Sequence, residues 1–156
     1  MLEIAIPGSA TLFLEHLVLD FNGTLAVDGV LLPAVDSAIR PLAEHVIIHV
    51  ITADTFGRAR GMLAALPCEV VVLPDKQQDY AKRSFIDKLG ADRCAAIGNG
   101  RNDRLMLARA ALGIAVIQAE GVAVESLLAA KVVAPDILSA FGLLQNPLRL
   151  SATLRT

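Results

Sequence analysis

The chain has 156 residues, 54% of them hydrophobic and 19% charged, with a formal net charge of -2. That length fits a single domain over 1–156 and leaves little room for a second. The charge supplies no basic field for nucleic acid, and no apolar run approaches the ~20 residues needed to span a bilayer, so neither nucleic acid nor membrane is an expected partner. Aromatics make up only 4% of the chain, so the core must be built from Val, Ile, Leu and Ala.

In chain order, Ile4-Ala5-Ile6, then Pro7-Gly8-Ser9, then Thr11-Leu12-Phe13-Leu14 predict a hairpin, with strands over about 2–6 and 11–20, the second ending at Asp20. The segment Val27-Asp28-Gly29-Val30 fits a small hairpin flap. Pro33 suits the start of a helix over about 34–44. The run VIIHVI predicts a strand at 46–51, followed by a helix at 55–65, a strand at 69–73 and a helix at 78–89 stopped by Gly90. CAAI predicts a strand at 93–97, followed by a helix at 102–110, strands at 113–117 and 131–133, and helices at 121–129 and 135–143. Short continuous apolar runs alternating with helices point to an α/β sandwich with a mostly parallel, buried sheet. The tail over 146–156 carries Leu148, Leu150 and Leu154, which suit packing on the domain or on a partner.

Cys68 and Cys94 form no CxxC pair, so a zinc site is not expected, and buried thiols suit a reducing, cytoplasmic setting. The N-terminus has no basic segment leading into a long apolar core, so no signal peptide is expected. His16, His45 and His49 are not clustered in sequence, and His49, inside an apolar strand, is expected to be structural. Arg101, Arg104 and Arg109 read as helix-surface charge, with attraction for an anion as the alternative.

In open parallel sheets, ligands bind beyond the carboxyl ends of the strands. The strand-end residues that follow the apolar runs are Asp20, Asn22, Gly23 and Thr24; then Thr52 and Asp54; then Gly98, Asn99, Gly100, Asn102 and Asp103. These ends should meet on one rim. Taken singly, each has an ordinary reading: Asp20 as a strand-end cap, Thr52 as a helix cap, Lys82 as surface charge, and 99–103 as a turn with a cap.

Taken together, they resemble the four motifs of the haloacid dehalogenase superfamily. Leu17-Val18-Leu19-Asp20-Phe21-Asn22-Gly23-Thr24 resembles the first, Thr52 the second, Lys82 the third, and Gly98-Asn99-Gly100-Arg101-Asn102-Asp103 the fourth. Within the superfamily, DFNGTLA, ITADTFG and IGNGRND are most similar to soluble relatives of the phosphorylation domain of P-type ATPases. The resemblance implies a three-layer Rossmann-like sandwich and a magnesium-dependent phosphohydrolase or phosphotransferase with Asp20 as nucleophile. It further implies Mg²⁺ on Asp20, Asn22, Asn99 and Asp103, and a phosphoryl group met by Gly23, Thr24, Thr52, Ala53, Lys82 and Asn102. The helix beginning near Asn102 would point its positive end at that group. The gaps after Leu25 and after Thr52 are short where relatives insert cap domains, so the chain reads as capless. That suits a phosphorylated small molecule or a protein-borne phosphate as substrate, and the apolar composition is compatible with a homo-oligomer.

Two positions depart from the motifs. Asn22 stands where the superfamily's phosphatases carry an acid/base Asp, and an amide shuttles no proton at neutral pH. Asn99 replaces a second Asp and removes one negative charge from the expected metal site. Slow turnover is therefore expected, and three readings remain: an enzyme, a phosphorylatable regulatory module with little turnover, or a catalytically silent scaffold.

Overall fold

A computed structural model describes residues 1–54 and 58–156. Two short strands, β1 (Leu2–Ile4) and β2 (Leu12–Leu14), form an antiparallel hairpin apart from the main sheet. The chain then enters β3 (His16–Asp20). The expected single strand over 11–20 is thus two strands, and the physical reason lies at Glu15. Its N–H donates to the Arg93 carbonyl and its carbonyl accepts from Ile47, each at 2.9 Å, so the backbone changes partners at that residue.

A second hairpin, β4 (Ala26–Val27) with β5 (Val30–Leu31), is the expected flap. There follow α1 (Val35–Ala43), β6 (Ile47–Thr52), α2 (Arg58–Leu63), β7 (Glu69–Val72), α3 (Gln78–Leu89) and β8 (Cys94–Gly98). The helix expected over 55–65 lies partly outside the described residues. After β8 come α4 (Arg104–Arg109), β9 (Leu112–Val116), α5 (Val124–Ala129), β10 (Val132–Ala134), α6 (Ile137–Gln145) and α7 (Pro147–Leu154).

Among the described residues, six strands pair in parallel in the order β10-β9-β8-β3-β6-β7. β3 lies inside the sheet between β6 and β8, and nearly every side chain of these three strands is buried, which is why their sequences run apolar without alternation. Successive side chains still face opposite sides. Leu17, Leu19, Ile48 and Val50 pack with Val35 and Ile39 of α1, Leu63 of α2, and Phe141 of α6. Val18, Ile51 and Ala96 pack with Ile86 of α3 and Met106 and Leu107 of α4. The result is helices on both faces of one sheet, the expected three layers. Asp20 shares the Val18 side, which faces α3, and Lys82 lies one helical turn before Ile86 on that helix.

The 146–156 tail forms α7, with Leu150 buried in the main core. The hydroxyl of Ser151 donates to the Ala5 carbonyl at 2.7 Å, so the tail folds back onto the N-terminal hairpin. Arg101, Arg104 and Arg109 pair with Glu125, Asp79 and Asp87 at 2.9, 2.7 and 2.6 Å, which makes them surface ion pairs. His16 and His49, distant in sequence, meet across neighbouring strands with ring nitrogens 3.1 Å apart, and Phe85 packs edge-on against His49. No helix among the described residues is long and apolar enough to cross a membrane.

Candidate functional site

β3, β6 and β8 end side by side, because Asp20 pairs with Ile51 and Leu19 with Ile97 across parallel ladders. The sheet therefore delivers Asp20, Thr52 and the 98–103 segment to one edge. Lys82 reaches that edge from the second turn of α3.

At the floor of the site lies a buried charge triad. The Lys82 Nζ donates to Asp20 Oδ1 at 2.7 Å and to Asp103 Oδ1 at 2.6 Å. Lys82 is 2% exposed and Asp103 is fully buried. Burial opposes the charge on Lys82, but the two carboxylates outweigh it and hold its pKa above the ordinary lysine value. Burial pushes Asp20 up to about 7, and the neighbouring Asp103 carboxylate adds to the rise, against the pull of Lys82 and the Phe21 N–H. Two carboxylates share one ammonium, so the ionised triad carries one uncompensated negative charge.

Asp103 is fully engaged. Its Oδ2 accepts the backbone N–H groups of Asn99 at 3.0 Å and Gly100 at 2.9 Å, while Oδ1 takes Lys82. This capture folds Arg101–Asp103 into a 3₁₀ turn, so α4 begins only at Arg104. The α-helix expected from about Asn102 thus starts two residues later, and the Asn99 and Gly100 amides that precede the turn are spent on Asp103. It also explains Gly98, where an added Cβ would lie 2.5 Å from the Asp103 carboxyl carbon.

Thr24 is fully buried, and its hydroxyl lies 3.4 Å from Asp20 Oδ2 and 3.3 Å from Asn99 Oδ1. Gly23 has φ +78°, and a Cβ there would strike the Asn99 side chain at 2.4 Å. The Gly23 N–H donates to Ala26 at 2.7 Å, and those of Thr24 and Leu25 donate to Phe21 at 3.3 and 2.9 Å. Gly23 and Thr24, expected to meet the phosphoryl group, instead lie beneath the cleft with their amides occupied. Their contribution is to let the nucleophile loop and Asn99 pack together. Thr52 accepts the Asp54 N–H on its Oγ1 at 3.1 Å, which leaves its hydroxyl proton free to donate elsewhere.

Above this floor opens a cleft of about 270 Å³ lined by Asp20, Asn22, Thr52, Ala53, Lys82, Asn99 and Asn102, among others. The structure thus brings together most of the residues that the sequence singled out. Asn102 is held at the cleft wall, its Nδ2 donating to Gln78 Oε1 at 2.7 Å. Gln78 and Glu120 also line the cleft but belong to none of the four motif-like segments. Nor does Gln118, whose Nε2 donates to the carbonyls of Gly23 at 2.9 Å and Thr24 at 2.7 Å from beneath. Nothing in a single sequence signals these three, because they arrive from a helix start and a loop by tertiary packing alone.

The donor set suits a small hard cation. Asp20 Oδ2 is met by the Thr24 hydroxyl at a long 3.4 Å, and the side-chain oxygen of Asn99 and the main chain at Asn22 offer further oxygens at the same cleft. The surplus negative charge of the triad favours a cation at the same place. Asp103 is fully buried and does not line the cleft, so its effect on a cation would pass through water or through Lys82.

This sheet order, with a buried Asp–Lys–Asp triad at the strand ends, defines the haloacid dehalogenase fold. Solved structures agree. The chain is similar to 3-deoxy-D-manno-octulosonate 8-phosphate phosphatase of Moraxella catarrhalis, solved with magnesium, phosphate and the sugar acid, at TM-score 0.71 and 14% identity over 90% of each chain. The cobalt-bound octulosonate 8-phosphate phosphatase of Haemophilus influenzae gives TM-score 0.70 at 15% identity, covering 92% of this chain and 94% of that one. The catalytic domain of the CPx-ATPase CopB-B gives TM-score 0.61 at 24% identity, covering 75% of this chain and 46% of that one. No family model matches. By sequence, the chain belongs to the family of an uncharacterized protein of Methanocaldococcus jannaschii, to which it is 50% identical over 82 residues, 50% of this chain and 88% of that protein.

Proposed function

We propose that the chain is a magnesium-dependent phosphohydrolase acting through an aspartyl phosphate on Asp20. The observation that carries this reading is the Lys82 ammonium clamped between Asp20 and Asp103 at 2.7 and 2.6 Å on the floor of an open polar cleft. A buried carboxylate held against an ammonium beside an anion-sized space is suited to nucleophilic attack on phosphorus. Asp20 forms a bond to phosphorus, the ester P–O bond breaks, and its electron pair leaves on the alcohol oxygen. Lys82 offsets the charge that gathers on the phosphoryl oxygens, and the free proton of the Thr52 hydroxyl donates to one of them. Asp103 acts by position, orienting Lys82 and bracing the 98–100 backbone. The cation would be held by Asp20, the Asn22 main chain and Asn99. When bound, it would neutralise the repulsion between the carboxylate and the phosphate.

Asn22 shapes the substrate range. With no acid at that position, the leaving oxygen departs without a donated proton, so good leaving groups are favoured and alkyl phosphates turn over slowly. The flap and the absence of a cap among the described residues between β3 and α1 leave the cleft open to a phosphorylated small molecule or a protein-borne phosphate. Two free thiols, Cys68 half-buried and Cys94 buried, support a cytoplasmic setting.

The test is turnover of p-nitrophenyl phosphate with Mg²⁺, expected to vanish in Asp20→Asn. In Asn22→Asp, hydrolysis of an alkyl phosphate is expected to rise by about 10²-fold or more, and more than that of the nitrophenyl ester. Equal rates in wild type and Asp20→Asn would refute the nucleophile. The regulatory reading is favoured only by Asn22 and Asn99. It would require Asp20 to accept a phosphoryl group from acetyl phosphate and keep it.

A further inference from the structure

One carboxylate faces the cleft from outside the four motif-like segments. Glu120 lies in the loop between β9 and α5 and lines the same space as Asp20, Asn22, Thr52 and Asn99. Its Oε1 accepts the backbone N–H of Asp28 at the tip of the flap, at 2.9 Å, which anchors the side chain. The loop is fixed on both sides of it. Two residues earlier, Gln118 donates to the Gly23 and Thr24 carbonyls. One residue later, the Gly121 carbonyl accepts from Asn99 Nδ2 at 3.0 Å. Glu120 is therefore built in beside Asn22 and Asn99, the two positions where this chain has an amide in place of an acid.

We propose that Glu120 is a catalytic residue, the general base that activates water against phosphorylated Asp20. The inference rests on the function proposed above and supplies the step that Asn22 is unable to perform. A cleft of about 270 Å³ is several times the ~30 Å³ share of one water molecule, so a phosphoryl group and a water fit between Asp20 and the Glu120 wall. In the step, the water oxygen bonds to phosphorus while Glu120 takes one of its protons. The bond between phosphorus and the Asp20 oxygen breaks, and the electron pair returns to Asp20 as carboxylate. Phosphate departs, and Glu120, which is solvent-exposed, releases its proton to bulk water. A base at this place assists the second half of the reaction and leaves the first half without an acid, in keeping with a preference for good leaving groups.

The experiment separates the two halves by rapid mixing with p-nitrophenyl phosphate and Mg²⁺, with intact-mass measurement of the phosphoryl adduct. Glu120→Gln keeps a side-chain oxygen for the Asp28 N–H, so the flap contact survives. The expected result is an undiminished nitrophenolate burst, a steady-state rate lower by about 10²-fold, and accumulation of protein carrying one phosphoryl group. Adding Asn22→Asp to Glu120→Gln should restore turnover by returning a carboxylate to the first loop. An unchanged steady-state rate in Glu120→Gln overturns the proposal while leaving the aspartyl-phosphate reading intact. Loss of the burst also overturns it, because Glu120 would then act before the water does. A wild-type protein that never forms the adduct sinks the underlying function as well.

Discussion

At the scale of single residues, the site is defined by an imbalance of charge. Asp20 and Asp103 compete for Lys82, and burial with the second carboxylate raises Asp20 to about 7. A raised carboxylate pKa means that the folded chain holds its proton more tightly than the unfolded chain does. Stability must then fall as pH climbs from about 4, the unfolded value, to about 7, and stay lowered above that. Asp20→Asn removes the ionisation and keeps the shape. In metal-free buffer the variant should be more stable than wild type at pH 8, by on the order of 1–4 kcal/mol. The gap should shrink as pH drops through 7 and close near pH 4. Urea denaturation at these pH values reads it directly, and a pH-independent difference would mean that Asp20 is not strained by its neighbours. Which residues gather at this edge was largely legible, because Asp20, Thr52, Lys82 and 98–103 sit just past apolar runs or on an adjoining helix. How they are placed there was less so. Thr24 and Gly23 pack beneath the cleft, and Asp103 spends both oxygens on Lys82 and two amides, since burial inside the loop leaves those partners and no solvent.

At the scale of elements, the strands were the most readable feature, since each buried parallel strand is a short continuous run of aliphatic residues. Boundaries failed where tertiary contacts override local pattern. The break at Glu15 comes from a change of hydrogen-bonding partners that LFLEHLVLD does not encode, and the late start of α4 comes from the Asp103 carboxylate. The close seating of α4 on β9 was equally hidden, although its mark is present in the sequence as Gly113. A Cβ at that position would lie 2.2 Å from the Leu107 carbonyl oxygen, which is backbone and has no rotamer to yield. Gly113→Ala must therefore push α4 off the sheet. Overpacking of this kind costs about 1–3 kcal/mol, and the displaced helix follows directly from the 3₁₀ turn that Asp103 braces. A lower urea midpoint with an unchanged slope is expected, together with weaker turnover. An alanine variant of wild-type stability would show that β9 and α4 are less closely apposed than described.

At the scale of the whole molecule, the packing keeps one end of the sheet closed and the other open. α7 lies against the N-terminal hairpin, with Leu150 in the core and Ser151 bonded to Ala5, while at the opposite end the flap is bonded through the Asp28 N–H to Glu120 of the cleft wall. The site is thus an incomplete charge assembly: with both carboxylates ionised, Asp20, Lys82 and Asp103 carry a net negative charge, and on the proposed reading a cation and a phosphoryl group would complete it together. Cation and phosphoryl mimic should therefore bind together far better than either alone. A ligand present at about 100 times its dissociation constant adds about 2.7 kcal/mol to stability, which for a chain of this size corresponds to a rise in Tm of about 5–10 °C. Mg²⁺ with beryllofluoride should produce a rise of that order in wild type. Either component alone should give little, and Asp20→Asn should abolish the joint effect, since beryllium needs the carboxylate oxygen as its fourth partner. If the melting point is indifferent to the mixture in wild type, the triad does not assemble around a tetrahedral anion, and its buried charges serve the fold alone.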